Sequence, residues 1–367
     1  MTELQAPKNK LEKHAINVHK FGGSSLANAQ CIERVLEIIR QNCQLNDIVV
    51  VSANGKTTDY LFSLLNLAED GDFTESIAEL QAQQSTLISE ILNEKNAKQL
   101  TQLLLKDIVQ LTQWLSSDFI HHRNDILAFG ELWSARLLSA LLNEKICPSN
   151  AIDARDFLVI DNEQSCTVDH ALSSAQLKTH LQFGKLAVIT GYISQDTRGI
   201  TCTLGRNGSD YSATIMASLV GAFNVTLWTD VDGIYSADPR VVPNARKLHR
   251  LPNGVAKELG RLGNPVLHAK TLTPLVNESL SHHCHLHVAS SFDPQVQGTE
   301  IGKFGHIAKQ ELSVTYLNDL LLAQSASFIG DKAAQVLKEF SPICADIQQG
   351  FVVINQSQQK ALSQWLA

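Results

Sequence analysis

No stretch of the 367-residue chain is apolar for long enough to span a bilayer. The opening MTELQAPKNKLEKH is polar and lacks the apolar core of a secretory signal. Basic residues are not in excess: Lys and Arg number 30 against 37 Asp and Glu, a net charge of −7. With no concentrated basic face, nucleic acid is not expected as the main partner. The seven cysteines are scattered, odd in number and contain no CxxC pair. A reduced, cytoplasmic protein is the simplest account, with the thiols acting as small buried hydrophobes. No GxGxxG fingerprint, internal repeat or low-complexity segment occurs. The remainder, 44% hydrophobic and 18% charged, suits a globular chain with room for one large domain and a smaller one.

The most informative segment that is present is Val18-His19-Lys20-Phe21-Gly22-Gly23-Ser24-Ser25. It follows a strand-like apolar run and precedes a helical pattern. Adjacent glycines let the backbone approach a ligand without a Cβ in the way. The N–H groups of the element that follows would face that ligand with the positive end of the dipole. Such a turn suits phosphate, and Lys20 adds a mobile charge. The lysine precedes the glycines, so the order is not that of the GxxxxGK[ST] nucleotide loop. A strand–Gly–Gly–helix junction can equally serve tight packing alone.

Beyond the turn, Ile32, Val35, Leu36 and Ile39 repeat with helical spacing, and Ile48-Val49-Val50-Val51-Ser52-Ala53 reads as a strand buried on both faces of a parallel sheet. The chain therefore opens as βαβ. From about Leu61 to Leu142 it is nearly free of glycine and proline and reads as several helices, broken near Gly71 and around Ser116–Asp118. Strands are expected at Ala151–Asp153, Leu186–Thr190 and Val225–Trp228, with a helix over Ser212–Phe223. The alternation indicates an α/β sandwich with a mostly parallel central sheet. Pro294 and the glycines at 298, 302 and 305 mark an expected linker. Beyond it, a strand at Leu320–Ala323, a helix over 331–340, strands at Ile343–Ile347 and Phe351–Ile354 and a helix over Gln359–Leu366 resemble a ferredoxin-like module short of its last strand.

Three further segments could carry chemistry. Leu204–Tyr211 precedes a helix, and Arg206 offers a planar fork for a carboxylate or phosphate; a capped turn with a surface arginine is the plainer account. Trp228–Arg240 begins at a strand's C-terminal end, where open α/β sheets place ligands. Its aspartates are compatible with nucleotide and Mg²⁺, though Asp-Gly and Asp-Pro also make ordinary turns. Glu131 in Phe129-Gly130-Glu131 reads as lying on or near a helix start. It could be a surface residue there or a carboxylate facing a substrate ammonium group. The tract His282-His283-Cys284-His285-Leu286-His287 suggests metal at first sight. Alternation instead puts the odd-numbered histidines on the polar face of a strand, so no metal site is expected.

Taken together, Lys20–Ser25, Val51-Ser52-Ala53, Gly130-Glu131, Leu204–Asp210, Thr229–Arg240 and Val266-Leu267-His268 resemble the aspartokinase family of the amino acid kinase fold. They follow the family's order over roughly residues 16–295, and the likeness is strongest to the aspartokinase portion of its bifunctional type II branch. The resemblance implies an amino acid kinase-like αβα sandwich over 15–295, after a polar tail at 1–14. An ACT-type, ferredoxin-like regulatory module over 296–367, incomplete at its end, would follow. It implies ATP with Mg²⁺, L-aspartate as acceptor, and 4-phospho-L-aspartate as product, the first step toward lysine, threonine and methionine. It also implies a homodimer or higher homo-oligomer and, in the full-length protein, a fused homoserine dehydrogenase domain.

By the same resemblance, Lys20, Phe21, Gly22 and Gly23 contact the nucleotide phosphates, with Lys20 and Asp210 at the reacting centre. Thr58, Glu131, Arg206, Asn207, Gly208 and Ser209 hold aspartate, with Arg206 on its α-carboxylate and Glu131 toward its ammonium group. Thr229, Asp230, Tyr235, Arg240, Pro265 and Val266 line the nucleotide side. Pro265 stands where many members carry a lysine, and Lys270 or Arg240 could supply the charge instead. Two other readings stay open on the residues: the same fold acting on glutamate, acetylglutamate or a nucleoside monophosphate, and a non-catalytic scaffold.

Overall fold

The computed structural model describes residues 16–161, 167–235, 245–261, 264, 266–276, 284–302, 313–317, 320–324, 331–342, 344–346, 351–358 and 361–362. The first half runs β1 (Asn17–Phe21), α1 (Ala29–Asn42), β2 (Ile48–Val51), α2 (Thr57–Asp70), α3 (Thr74–Ile91), α4 (Glu94–Ser117), α5 (Arg123–Lys145), β3 (Ser149–Ile152), β4 (Val159–Asp161), β5 (Thr167–Val168) and α6 (His170–His180). It continues with β6 (Leu186–Thr190), β7 (Ile193–Asp196), β8 (Thr201–Thr203), α7 (Gly208–Val220), β9 (Asn224–Thr229), β10 (Ile234–Tyr235), β11 (Lys247–Leu248), β12 (Arg250–Pro252), α8 (Asn253–Arg261), α9 (Ala269–Val276), β13 (His285–Ser290) and β14 (Thr299–Gly302). The C-terminal elements are β15 (Ser313–Leu317), β16 (Leu320–Gln324), α10 (Asp331–Phe340), β17 (Cys344–Asp346) and β18 (Phe351–Asn355).

The central sheet has eight strands in the order β12-β14-β13-β9-β1-β2-β6-β3. All neighbours in it are parallel except β13 and β14. Strand β2 shows why the apolar run is continuous. Val49 and Val51 join a core shared with α1 to α5, and Ile48 and Val50 join a second core on the other face, shared with α7 to α9. Helices thus cover both faces, and the expected βαβ opening and αβα sandwich are present.

The expected breaks also have visible causes. Helix α2 stops at Gly71, which adopts φ 75°, and α4 stops at Asp118. Helix α7 begins four residues earlier than the apolar pattern suggests and ends at Gly221, φ 64°. Thr299–Gly302, expected within a linker, forms β14 and pairs antiparallel to β13 and parallel to β12. Side-chain pattern alone could not show this, because the glycines flanking the strand mimic a loop. In β13, Leu286 and Val288 are buried while His285 and His287 are half-buried, the alternation expected of a strand. The N-terminal tail, His282, His283 and most of the expected final helix lie outside the described residues.

The C-terminal strands form an antiparallel sheet in the order β15-β16-β18-β17. Strand β15, not expected from the sequence, precedes the others and pairs with β16. It occupies the sheet edge that the last strand of a ferredoxin-like unit would fill.

Candidate active site

The parallel strands β1, β2, β6 and β9 all end on one edge of the sheet, where their connections meet. Hydrogen bonds tie these turns to neighbouring strand ends. Ser52 N–H donates to the Phe21 carbonyl at 3.1 Å, Gly55 N–H to Gly23 at 3.0 Å, Gly191 N–H to Val51 at 2.8 Å, and Gly22 N–H to Trp228 at 3.3 Å. A cleft of about 720 Å³ opens there, lined by residues including Lys20, Gly23, Thr58, Glu131 and Arg206–Asp210. Every residue expected on the acceptor side is therefore in one place, although they come from three separate stretches of chain.

Alternation along β1 decides what Lys20 does. Val18 faces the core under α7, so Lys20 points to the same side, at the end of the strand. Its Nζ lies 2.6 Å from Asp210 Oδ1, in the first turn of α7, and both side chains are mostly shielded. Helix α7 directs its N-terminus at the cleft. Asn207 enters it with φ 55°, and a Cβ on Gly208 would come within 2.7 Å of the Tyr192 ring. With the Gly208 N–H on the Gly205 carbonyl and the Tyr211 N–H on that of Asn207, the N–H groups of Ser209 and Asp210 are the ones left to face an anion. Arg206 stands exposed just ahead of it.

Glu131 is not at a helix start, as the sequence suggested, but in the interior of α5, a helix buried along most of its length. Its carboxylate is 2% exposed. Oε1 accepts from the Ala53 N–H at 3.3 Å, and Oε2 has no hydrogen-bond partner among the described residues. Burial pushes its pKa up to about 8, against the ordinary 4.5. A buried carboxylate with one unsatisfied oxygen at a cleft wall is a receptor for a cationic donor.

The glycine turn is a cradle in the literal sense. A Cβ at Gly23 would sit 2.9 Å from the carbonyl oxygens of both Ala53 and Gly55. Phe21 does not reach the cleft; its ring stacks on Trp228 at 6.1 Å beneath it. Behind the turn, buried His19 accepts from the Trp228 indole N–H at 3.3 Å. Burial lowers its pKa to about 4, so it is neutral at physiological pH.

The described residues expected on the nucleotide side lie outside this cleft. Thr229 ends β9 and Asp230 follows it, next to the glycine turn. The Tyr235 hydroxyl donates to Asp232, which also pairs with Lys247 at 2.7 Å. Val266 donates its N–H to Asn264. None of these lines the acceptor cleft, and Arg240 and Pro265 lie outside the described residues. Sequence reasoning missed Asp59, Arg123 and Tyr192 as cleft residues, and Lys247 beside Tyr235. Tyr192 had a signal, since it follows the C-terminal end of an apolar strand; Asp59, Arg123 and Lys247 had none.

The model of the amino acid kinase family matches residues 15–290. The chain is 40% identical over 295 residues to the bifunctional aspartokinase/homoserine dehydrogenase 2 of Escherichia coli, covering 77% of this chain and 35% of that protein. It is 30% identical to the lysine-sensitive aspartokinase 3 of Escherichia coli, covering 77% of this chain and 63% of that one. The chain thus spans about a third of the length of the bifunctional relative. The crystal structure of Escherichia coli aspartokinase III in complex with aspartate and ADP superposes with a TM-score of 0.71. It is 27% identical and covers 93% of this chain and 78% of that one.

Proposed function

The chain belongs to the amino acid kinase family, and we propose that it is an aspartate kinase, transferring the γ-phosphoryl group of ATP to the β-carboxylate of L-aspartate. The observation that carries this reading is Glu131: a desolvated carboxylate with an unpartnered oxygen, facing the cleft that Lys20, Arg206 and the α7 N-terminus share. A free amino acid offers the ammonium group that such a carboxylate lacks. N-acetylglutamate and nucleoside monophosphates do not, which disfavours those acceptors.

In this reading Arg206 and the α7 N-terminus hold the α-carboxylate, with Thr58, Asn207, Gly208 and Ser209 closing around it. Glu131 takes the ammonium group. Lys20, released from Asp210 by the arriving phosphates, neutralises charge on the γ-phosphoryl group. One oxygen of the β-carboxylate attacks the γ-phosphorus, the bond to the bridging oxygen breaks, and ADP leaves with that electron pair. The nucleophile is already anionic, so no proton is transferred and no general base is required. Alignment and charge neutralisation are then the protein's whole contribution.

Mg²⁺ enters with the nucleotide. No group of three or more His, Cys, Asp or Glu side chains among the described residues could hold a metal alone. The ion would be held mainly by phosphate oxygens and water, with Asp210 the carboxylate placed to add a ligand. Thr229, Asp230, Tyr235, Arg240, Pro265 and Val266 are assigned to the nucleotide.

The same reading takes the antiparallel sheet β15–β18 with α10 as an ACT-type regulatory and dimerising module, following a catalytic unit that begins near residue 15. It places the enzyme in the cytoplasm, at the start of the route to lysine, threonine and methionine, with a homoserine dehydrogenase domain joined to it in the full-length protein. No helix among the described residues is long and apolar enough to cross a membrane. The test is steady-state ADP release with Mg²⁺ and L-aspartate, against glutamate, N-acetylglutamate and UMP, repeated with lysine, threonine and methionine. Aspartate-dependent release is expected; ATP binding without turnover on any acceptor would favour the scaffold reading.

A further inference from the structure

Strand β13 neighbours β9, and β9 neighbours β1, so the end of β13 lies two strands from the glycine turn. Ser291, the first residue after β13, nevertheless reaches that turn. Its Oγ is 2.7 Å from the Oγ of Ser25, and both residues are 2% exposed. Its backbone N–H donates to the Thr229 carbonyl at 2.8 Å, and its hydroxyl donates to the same oxygen at 3.1 Å.

A serine hydroxyl carries one proton. With the Ser291 proton on the Thr229 carbonyl, the proton between the two serines is that of Ser25; with it on Ser25, the Ser291 N–H still holds Thr229, and either arrangement links the two turns. The Ser25 backbone N–H donates to the Gly22 carbonyl at 3.0 Å. Ser24, its neighbour, is exposed and takes no part in this chain of bonds. The segment carrying Ser291 is itself held in place. Ser290 Oγ accepts from the N–H groups of Phe292 and Asp293, each at 3.1 Å, and the Arg34 guanidinium lies 4.6 Å from the Phe292 ring centroid.

We propose that Ser291 is a positioning residue for the nucleotide, setting through Ser25 and the Thr229 carbonyl the spacing between the glycine turn after β1 and the loop after β9. The proposal rests on the reading of that turn as the phosphate site. The ladder between β1 and β9 ends at Phe21 and Trp228. Beyond it the other direct link among the described residues is the longer bond from Gly22 N–H to the Trp228 carbonyl, 3.3 Å. Without the Ser291 hydroxyl, the Gly23–Leu26 turn and Thr229 lose the side-chain link that continues the ladder. Neither serine lines the acceptor cleft and, of the Gly23–Leu26 turn, Gly23 alone does, so the effect falls mainly on the nucleotide rather than on aspartate.

The experiment is calorimetric binding of MgADP to the wild-type chain and to Ser25→Ala, Ser291→Ala, the double variant and Ser24→Ala combined with Ser291→Ala, with KM for each substrate alongside. Each brace variant should weaken MgADP roughly 5-fold, the worth of one neutral buried hydrogen bond. The double variant should be no weaker than the poorer single one, because both remove the same link. The Ser24 change should add to Ser291→Ala independently, and KM for aspartate should stay within about 2-fold, since no acceptor contact is removed. Additive effects of Ser25→Ala and Ser291→Ala, unchanged MgADP affinity, or an equal shift in KM for aspartate would overturn the brace. If Ser291→Ala does not fold, Ser25→Ala decides by MgADP affinity against KM for aspartate: a roughly 5-fold loss of the first with the second within about 2-fold supports the brace, and unchanged MgADP affinity overturns it. A wild-type chain that binds MgADP but does not phosphorylate aspartate overturns the acceptor assignment and leaves the brace to be judged by its own coupling.

Discussion

Lys20 Nζ lies 2.6 Å from Asp210 Oδ1, an ion pair that joins the end of the first strand to the first turn of a helix 190 residues further along the chain. Asp210 holds the lysine at the cleft before any phosphate arrives. It thereby reduces the rotamer freedom that Lys20 would otherwise lose on binding. Lys20→Ala should lower kcat roughly 10²–10³-fold with a much smaller change in KM for aspartate, as expected for one preorganised electrostatic contact. Near-normal turnover in a coupled ADP assay would remove Lys20 from that role. Asp210→Asn should lower kcat less, because the lysine remains but is no longer held.

Glu131 connects activity to stability. Its pKa is raised to about 8 in the folded protein, against an ordinary 4.5. The folded state therefore holds this proton more tightly, and the associated stability is full below about pH 4.5 and lost as pH rises through about 8. Glu131→Gln removes that loss. The unliganded variant should melt several degrees above wild type at pH 8.5 and close to it at pH 5, by differential scanning calorimetry. Its KM for aspartate should rise by at least roughly 10-fold, since the amide cannot balance an ammonium group. In the wild type, KM for aspartate should worsen as pH falls below about 8, where the carboxyl is protonated before substrate binds.

The two glycines of the turn should respond differently to alanine. At Gly23 the new Cβ would meet two backbone carbonyl oxygens at 2.9 Å, and neither can move without breaking the tie between the turns. At Gly22 the closest atom is Lys20 Nζ at 3.5 Å, an ordinary contact with the end of a flexible side chain. Gly23→Ala should raise KM for ATP roughly 10-fold or more, whereas Gly22→Ala should stay within about 3-fold.

Arg206 is exposed at the entry to α7, so its removal should not disturb the fold. Arg206→Ala should raise KM for aspartate roughly 10–100-fold, the worth of a charge-assisted contact, and leave KM for ATP nearly unchanged. An unchanged KM for aspartate would take Arg206 out of the acceptor site. Arg206→Lys should recover only part of the loss, because an ammonium cannot present the planar fork.

The sequence by itself determined those elements whose physics is local. The strand at Leu186–Thr190 and the helix over 331–340 were legible to the residue, because an unbroken apolar run and a clear amphipathic period each have one reading. The turn at Gly22 and Gly23 was legible as a turn, because adjacent glycines after an apolar strand end it, but not as a phosphate site. Only the tertiary structure could decide three other matters. Glu131 reads as a possible surface residue until α5 is seen to be buried nearly all round, which leaves no polar face to mark its position. Strand β14 reads as linker until β12 and β13 are seen to flank it. Ser25 and Ser291 are 266 positions apart, and no local pattern in a chain encodes a hydrogen bond between residues brought together by sheet order alone.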